Sequence, residues 1–189
     1  MNTIKENRIK NLIQPETTLE RLILQAPELR KGLLWGKPRK GHPEGKVLYH
    51  VKEVLENVDR LTTSATMREQ LRLITIIHDS FKYQEVIDFP RDWSKHHAVL
   101  ARQFAEQYIS DQAVLDVIEW HDDAYYCWRA FANHQSVELS GYCTNKLFKK
   151  LGENLELYFL FFKCDTQTGD KTQVPLRWFE DKVKKQLVF

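Results

Sequence analysis

His50, His78, His97 and His121 alternate along this chain with Asp79 and Asp165. Imidazole and carboxylate are the side chains that bind borderline and hard divalent metals. His50 closes the stretch H-P-E-G-K-V-L-Y-H, the pair His78-Asp79 closes the apolar run L-R-L-I-T-I-I, and Asp165 closes L-Y-F-L-F-F-K-C. An ionisable group beside such a run is costly to bury unless it is paired or metal-bound. The adjacent pair is useful in itself: both groups reach one ion, and the carboxylate keeps a second oxygen for another. A second such pair stands at His121-Asp122. Six groups on separate segments could converge on one or two divalent ions. A mixed His/Asp set tolerates Mn, Fe, Co, Ni and Zn, and suits Mg less well.

The elements that must position these residues read as helices almost throughout, so an all-α fold is expected. Thr17 or Thr18 can cap a helix over 17–31 with Leu19, Leu22 and Ile23 on one face, broken near Pro27. Residues 32–46 hold four glycines and two prolines and read as loop. Over 47–62, Val47, Val51, Val54, Leu55 and Val58 form a helical stripe with His50 at its edge. Over 67–79, Leu71, Ile74, Ile77 and His78 recur at helical steps, which turns His78 inward. The β-branched I-T-I-I would suit a strand by propensity alone, but its flank M-R-E-Q-L-R and the length favour helix. A loop over 81–93 ends near Phe89-Pro90. Ser94 can cap a helix from Lys95 to about Ile109, and Asp111 another through Trp120. The segment 123–136 is rich in aromatics. A long helix is expected over 144–166, with Gly152 as the point where it would split, and a last one over 176–187.

The order of these residues carries a resemblance. The stretch I-I-H-D-S-F-K resembles the His-Asp-x-x-Lys signature of the HD-domain superfamily of metal-dependent phosphohydrolases. The stretch ending in His50 is similar to the HD segment of bacterial CCA-adding tRNA nucleotidyltransferases. The resemblance covers residues 41–166 and no nucleotidyltransferase domain accompanies it, so CCA addition is not implied. What it implies is an HD-like helical bundle with a metal site at its centre. His50, His78, Asp79 and Asp165 match the four core ligands. His97 and His121 match the extra histidines of binuclear members, and Asp79 would bridge two ions. The implied activity is hydrolysis of a nucleotide or other phosphate ester by metal-activated water, with Asp79 and Lys82 as catalytic residues. The chain then divides into an N-terminal helical extension (1–40), an HD core (41–166) and a C-terminal helix (167–189), together one domain. The alternative is a catalytically silent regulatory or RNA-associated module that retains the metal site. A third class is an all-helical structural protein with scattered histidines.

Several residues carry two readings each. His96 competes with its neighbour His97 as ligand. His42 lies in a Gly/Pro loop, at the surface or behind the ligands. Asp122 and Asp123 are solvated helix-end carboxylates, or they orient an imidazole. Lys82 is a loop lysine, or it stabilises phosphate charge in the transition state. Arg39 and Lys40, with Lys37 in the loop G-K-P-R-K-G, face solvent or form a phosphate-binding rim with Lys82. Tyr125, Tyr126 and Trp128 pack internally, or they stack a base. His134 has no supporting neighbours and reads as structural or exposed.

Composition narrows the partners. A net charge of +2 argues against a dedicated nucleic-acid binder, and no apolar run approaches a membrane span. A small-molecule phosphate ester or nucleotide is the expected partner, and self-association into a homo-oligomer stays open. Cys127, Cys143 and Cys164 have no C-x-x-C spacing, and no apolar segment opens the chain. Three reduced thiols in a cytoplasmic protein are therefore expected, with Cys164 a small buried apolar residue rather than a soft ligand.

Overall fold

The structure, a computed structural model, describes residues 2–134 and 136–187. Its α-helices are α1 (Asn2–Ile13), α2 (Thr18–Ile23), α3 (Pro27–Leu33), α4 (Val47–Asp59), α5 (Ala65–Ile77), α6 (His97–Ala105), α7 (Gln112–Trp120), α8 (Asp123–His134), α9 (Val137–Leu151), α10 (Leu155–Thr166) and α11 (Val174–Leu187). The fold is all-α: no strand occurs among the described residues, and Arg39 and His42 form an isolated bridge.

The centre of the molecule is α5. Every residue from Leu71 to Ile77 is buried, because α4, α7 and α10 pack around it. A helix apolar on all sides is stable only when enclosed, and this explains why I-T-I-I is helical despite its β-branched residues. Its two polar members are satisfied locally. The Thr75 hydroxyl donates to Leu71 O at 2.7 Å. Arg72 donates to Glu20 Oε1 and Oε2 at 2.9 and 3.0 Å and to the carbonyls of Ile13 and Gln14, so it fastens the α1–α2 corner onto the core. Thr17 caps α2 by accepting from Glu20 N at 3.1 Å.

Most breaks fall where turn chemistry puts them. Pro27 is the first residue of α3, where its missing N–H is harmless. Gly152, with φ of +51°, separates α9 from α10, and α9 starts at Val137, ahead of the expected 144. The helix expected from Lys95 starts instead at His97 and ends at Ala105. Ser94 does not cap it: the Ser94 hydroxyl donates to Asp92 Oδ1 at 2.6 Å, and His96 Nδ1 accepts from Ala98 N. Helix α1 lacks a strong apolar stripe. It is held by Ile9 and Ile13, one turn apart and both buried.

The expectation of three reduced thiols is corrected. Cys127 and Cys143 form a disulfide, because α8 and α9 pack side by side and bring their Cα atoms to 5.4 Å. Cys164 is a free, buried thiol, pushed up to about 12 by that burial, which fits the apolar role expected of it. No helix among the described residues is long and apolar enough to cross a membrane.

One close approach positions the His-Asp pair. A Cβ on Gly32 of α3 would stand 1.5 Å from Ser80 O, the carbonyl next to Asp79. Gly32→Ala should therefore lower stability by about 3 kcal/mol through overpacking, read from the denaturant midpoint. Gly141→Ala in α9, where a Cβ meets nothing within 4 Å, should be stabilising by up to about 1 kcal/mol. Equal effects of the two substitutions would show that the α3–Ser80 contact is not a constraint.

Candidate metal centre

The residues of the sequence series are brought together at helix ends. His50 lies in the first turn of α4, His78 caps the C-terminus of α5 with Asp79 following, and His97 opens α6. His121 caps the C-terminus of α7, and Asp165 sits in the last turn of α10. The four histidines and Asp79 are buried. The turn that carries His121 and Asp122 is pinned from behind. The buried Tyr158 hydroxyl donates to Trp120 O at 2.9 Å and accepts from Ala124 N at 3.0 Å.

Asp79 stands between two pairs of imidazoles. Its Oδ2 is 3.7 Å from His50 Nε2 and 3.6 Å from His78 Nε2. Its Oδ1 is 3.5 Å from both His97 Nε2 and His121 Nε2. Asp165 Oδ1 completes the first half, 2.8 Å from His50 Nε2 and 3.8 Å from His78 Nε2. Asp122 Oδ2 faces the second half, 3.4 Å from His97 Nε2 and 3.6 Å from His121 Nε2. Ligands held about 2.0–2.1 Å from one ion are separated by about 3–3.5 Å, close to these spacings. The triads His50–His78–Asp165 and Asp79–His97–His121 each place their ligand atoms within 4.8 Å of one another.

The tautomers sharpen the geometry. His78 Nδ1 donates to Thr75 O at 3.0 Å and His121 Nδ1 to Ile118 O at 2.8 Å. His97 Nδ1 donates to Glu85 Oε2 at 3.1 Å. The Thr168 hydroxyl gives its proton to Asp165 O at 2.7 Å, so at 3.3 Å it can only accept from His50 Nδ1. With every Nδ1 carrying its proton, the Nε2 atoms of His50 and His78 present lone pairs to carboxylate oxygens, while those of His97 and His121 stand 3.2 Å apart and share a proton between them beside Asp79 Oδ1. His50 Nε2, His78 Nε2 and Asp79 Oδ1 are buried without a hydrogen-bond partner, and a cation could satisfy all three.

Protonation agrees with this. Burial pulls His78 down to about 3, against the attraction of Asp79, so it is neutral. Burial alone would raise Asp79 and Asp165. The Lys82 ammonium holds Asp79 well below the ordinary range, and the Lys171 ammonium does so for Asp165. Burial also disfavours charge on His121, yet Asp122 and Asp79 raise it to about 9. A proton on His121 supplies the positive charge that the carboxylates draw in, and a metal ion would displace it.

Around this cluster the remaining expectations sort themselves. Lys82 donates to Asp79 Oδ2 at 2.6 Å, from a 3-10 turn rather than from a continuation of α5. It lines a small cleft over the first half together with Arg39, His42, His50 and Asp79. Lys40 is exposed and does not line that cleft. His42 donates to Glu44 Oε1 at 2.9 Å, behind His50. His96 is not equivalent to His97: its Nδ1 caps α6 and its Nε2 meets Tyr126 OH at 3.0 Å. Asp123 pairs with Lys150 at 3.1 Å, away from the cluster. Tyr125 is exposed against Trp128, with ring centroids 5.5 Å apart. The His134 side chain lies outside the described residues. Glu85 and Thr168 had no signal in the sequence, since neither belongs to a motif and both reach the site from loops.

Buried His, Asp and Glu groups that could hold metal ions are thus a property of this fold. No family model, no curated protein and no solved structure matches the chain.

Proposed function

We propose that the protein is a binuclear, metal-dependent phosphohydrolase of HD type, acting on a nucleotide or other phosphate ester. The observation that carries the proposal is Asp79, with one oxygen toward His50 and His78 and the other toward His97 and His121. His50, His78 and Asp165 would hold one divalent ion and His97, His121 and Asp122 the other, with Asp79 shared. Divalent ions so held supply acidified water near neutral pH and charge for phosphoryl oxygens.

The chain's own groups do the rest. Thr75 O, Ile118 O, Thr168 and Glu85 fix the imidazole tautomers. Lys82 and Arg39, lining the cleft, offer cations to a phosphate entering over the first half. Arg39 alone of the basic loop residues Arg39 and Lys40 has this placement. The cation charge of Lys82 is secure: burial opposes it, but Asp79 and Asp122 raise its pKa.

Three measurements test the proposal. Metal analysis of the purified protein should give two ions, and Asp79→Ala should lose both while its helical circular dichroism persists. Unchanged metal content in that variant refutes the shared ligand. His121→Ala should keep one ion and lose most turnover; a variant that keeps both ions shows that His121 is structural. Lys82→Ala should keep both ions and lower kcat by roughly 10²–10³, about 2.7–4 kcal/mol, with KM little changed. Two ions without hydrolysis of any nucleotide or phosphoester would favour the catalytically silent module instead.

A further inference from the structure

We propose that Glu85 is the positioning residue of His97, a charged brace that sets how tightly the second half of the centre holds its ion. The inference rests on the binuclear reading above and adds a residue to it. Each of the four imidazoles has an acceptor behind Nδ1, but the acceptors differ. Those of His78, His121 and His50 are neutral: two main-chain carbonyls and the Thr168 hydroxyl. The acceptor of His97 is the Glu85 carboxylate, at 3.1 Å. A carboxylate behind an imidazole withdraws the Nδ1 proton more strongly and makes Nε2 a better donor to a metal.

Within the second half the helices differ in what they bring to the ion. His78 and His121 stand at the C-termini of α5 and α7, where free carbonyls favour a cation. His97 is the first residue of α6, so it brings the positive end of a helix dipole to the same ion. Glu85 offsets that end. The brace is itself held: Arg91 pairs with Glu85 and lies over the Trp93 ring at 5.2 Å. Glu85 Oε1 faces His96 Nε2 at 3.7 Å, outside hydrogen-bond range, so its bond to His97 is the shorter of its two histidine contacts.

The test uses the full chain, stripped with a chelator and titrated with Co(II), whose visible absorption reports each ligand set. The parent should take up two ions. Glu85→Ala should weaken one of them by about 10–100-fold and leave the other at the parental affinity. Glu85→Gln, which keeps an acceptor but loses the charge, should fall between the two. Melting of the metal-free proteins should differ little, which separates a brace from a folding defect. Arg91→Met distinguishes charge from loop anchoring: it frees the Glu85 charge, so the same ion should bind as tightly as in the parent, or tighter. The proposal is overturned if Arg91→Met weakens that ion as much as Glu85→Ala does. It is equally overturned if Glu85→Ala changes neither ion or weakens both alike. A parent that takes up no Co(II) sinks the metal centre itself, and the role of Glu85 with it.

Discussion

The constraint on which the rest depends is the burial of one carboxylate among four imidazole nitrogens. Asp79 is enclosed: its Oδ2 accepts from Lys82 at 2.6 Å, and its Oδ1 is buried without a hydrogen-bond partner. A buried carboxylate without compensation is among the most expensive features a fold can carry. The surroundings add to the demand for positive charge. The C-terminal ends of α5, α7 and α10 are aimed at the cluster, and their free carbonyls contribute partial negative charge. Lys82, Lys171 and a proton on His121 meet part of that demand. They do so at the rim and at His121, while the first half is bounded by the lone pairs of His50 and His78.

Holding that arrangement requires rigid delivery, and the packing supplies it. Helix α5 is buried on all sides, so His78 and Asp79 leave the core at a fixed point, with Ser80 O in close contact with Gly32. Tyr158 ties α10 to the junction of α7 and α8 through three polar contacts, which fixes Asp165 and His121 relative to each other. The loop after α10 is locked to the loop before α4 and to α4 itself: Gly41 N donates to Asp170 Oδ1 and Gly169 N to Glu53 Oε2, each at 2.8 Å. Ligands from five helices thus share one frame, as a preorganised site requires.

Much of this was legible in the sequence, and the pattern of misses is physical. The stripe Val47, Val51, Val54, Leu55 and Val58 announced α4 and put His50 at the edge of its buried face, because apolar periodicity reports a packed face directly. Asp111 and Thr17 announced helix starts through side-chain capping. His96 and Ser94 did not, since which residue caps depends on how the preceding loop folds. The choice of His97 over His96 could not be made from spacing, because it turns on where α6 begins. The disulfide escaped because Cys127 and Cys143 meet only through the packing of α8 on α9. Glu85 and Thr168 escaped for the same reason: a residue that supports a ligand from a loop is chosen by tertiary geometry and leaves no period to read.

The two halves of the cluster are alike in ligands and unlike in charge. In the first half each carboxylate already has an ammonium partner, Lys82 on Asp79 Oδ2 and Lys171 on Asp165 Oδ1. The cleft with Arg39 opens over this half. In the second half no lysine pairs directly with Asp79 Oδ1 or Asp122 among the described contacts. Behind it stand Glu85, His96 and Tyr126. A half that carries ammonium groups beside a cleft is suited to an anion, since charged donors make the strong hydrogen bonds to phosphoryl oxygens. A half walled by fixed acceptors is suited to an ion that stays. On the proposed function, substrate would be handled over His50, His78 and Lys82, and the ion at His97 and His121 would serve from behind the shared carboxylate of Asp79.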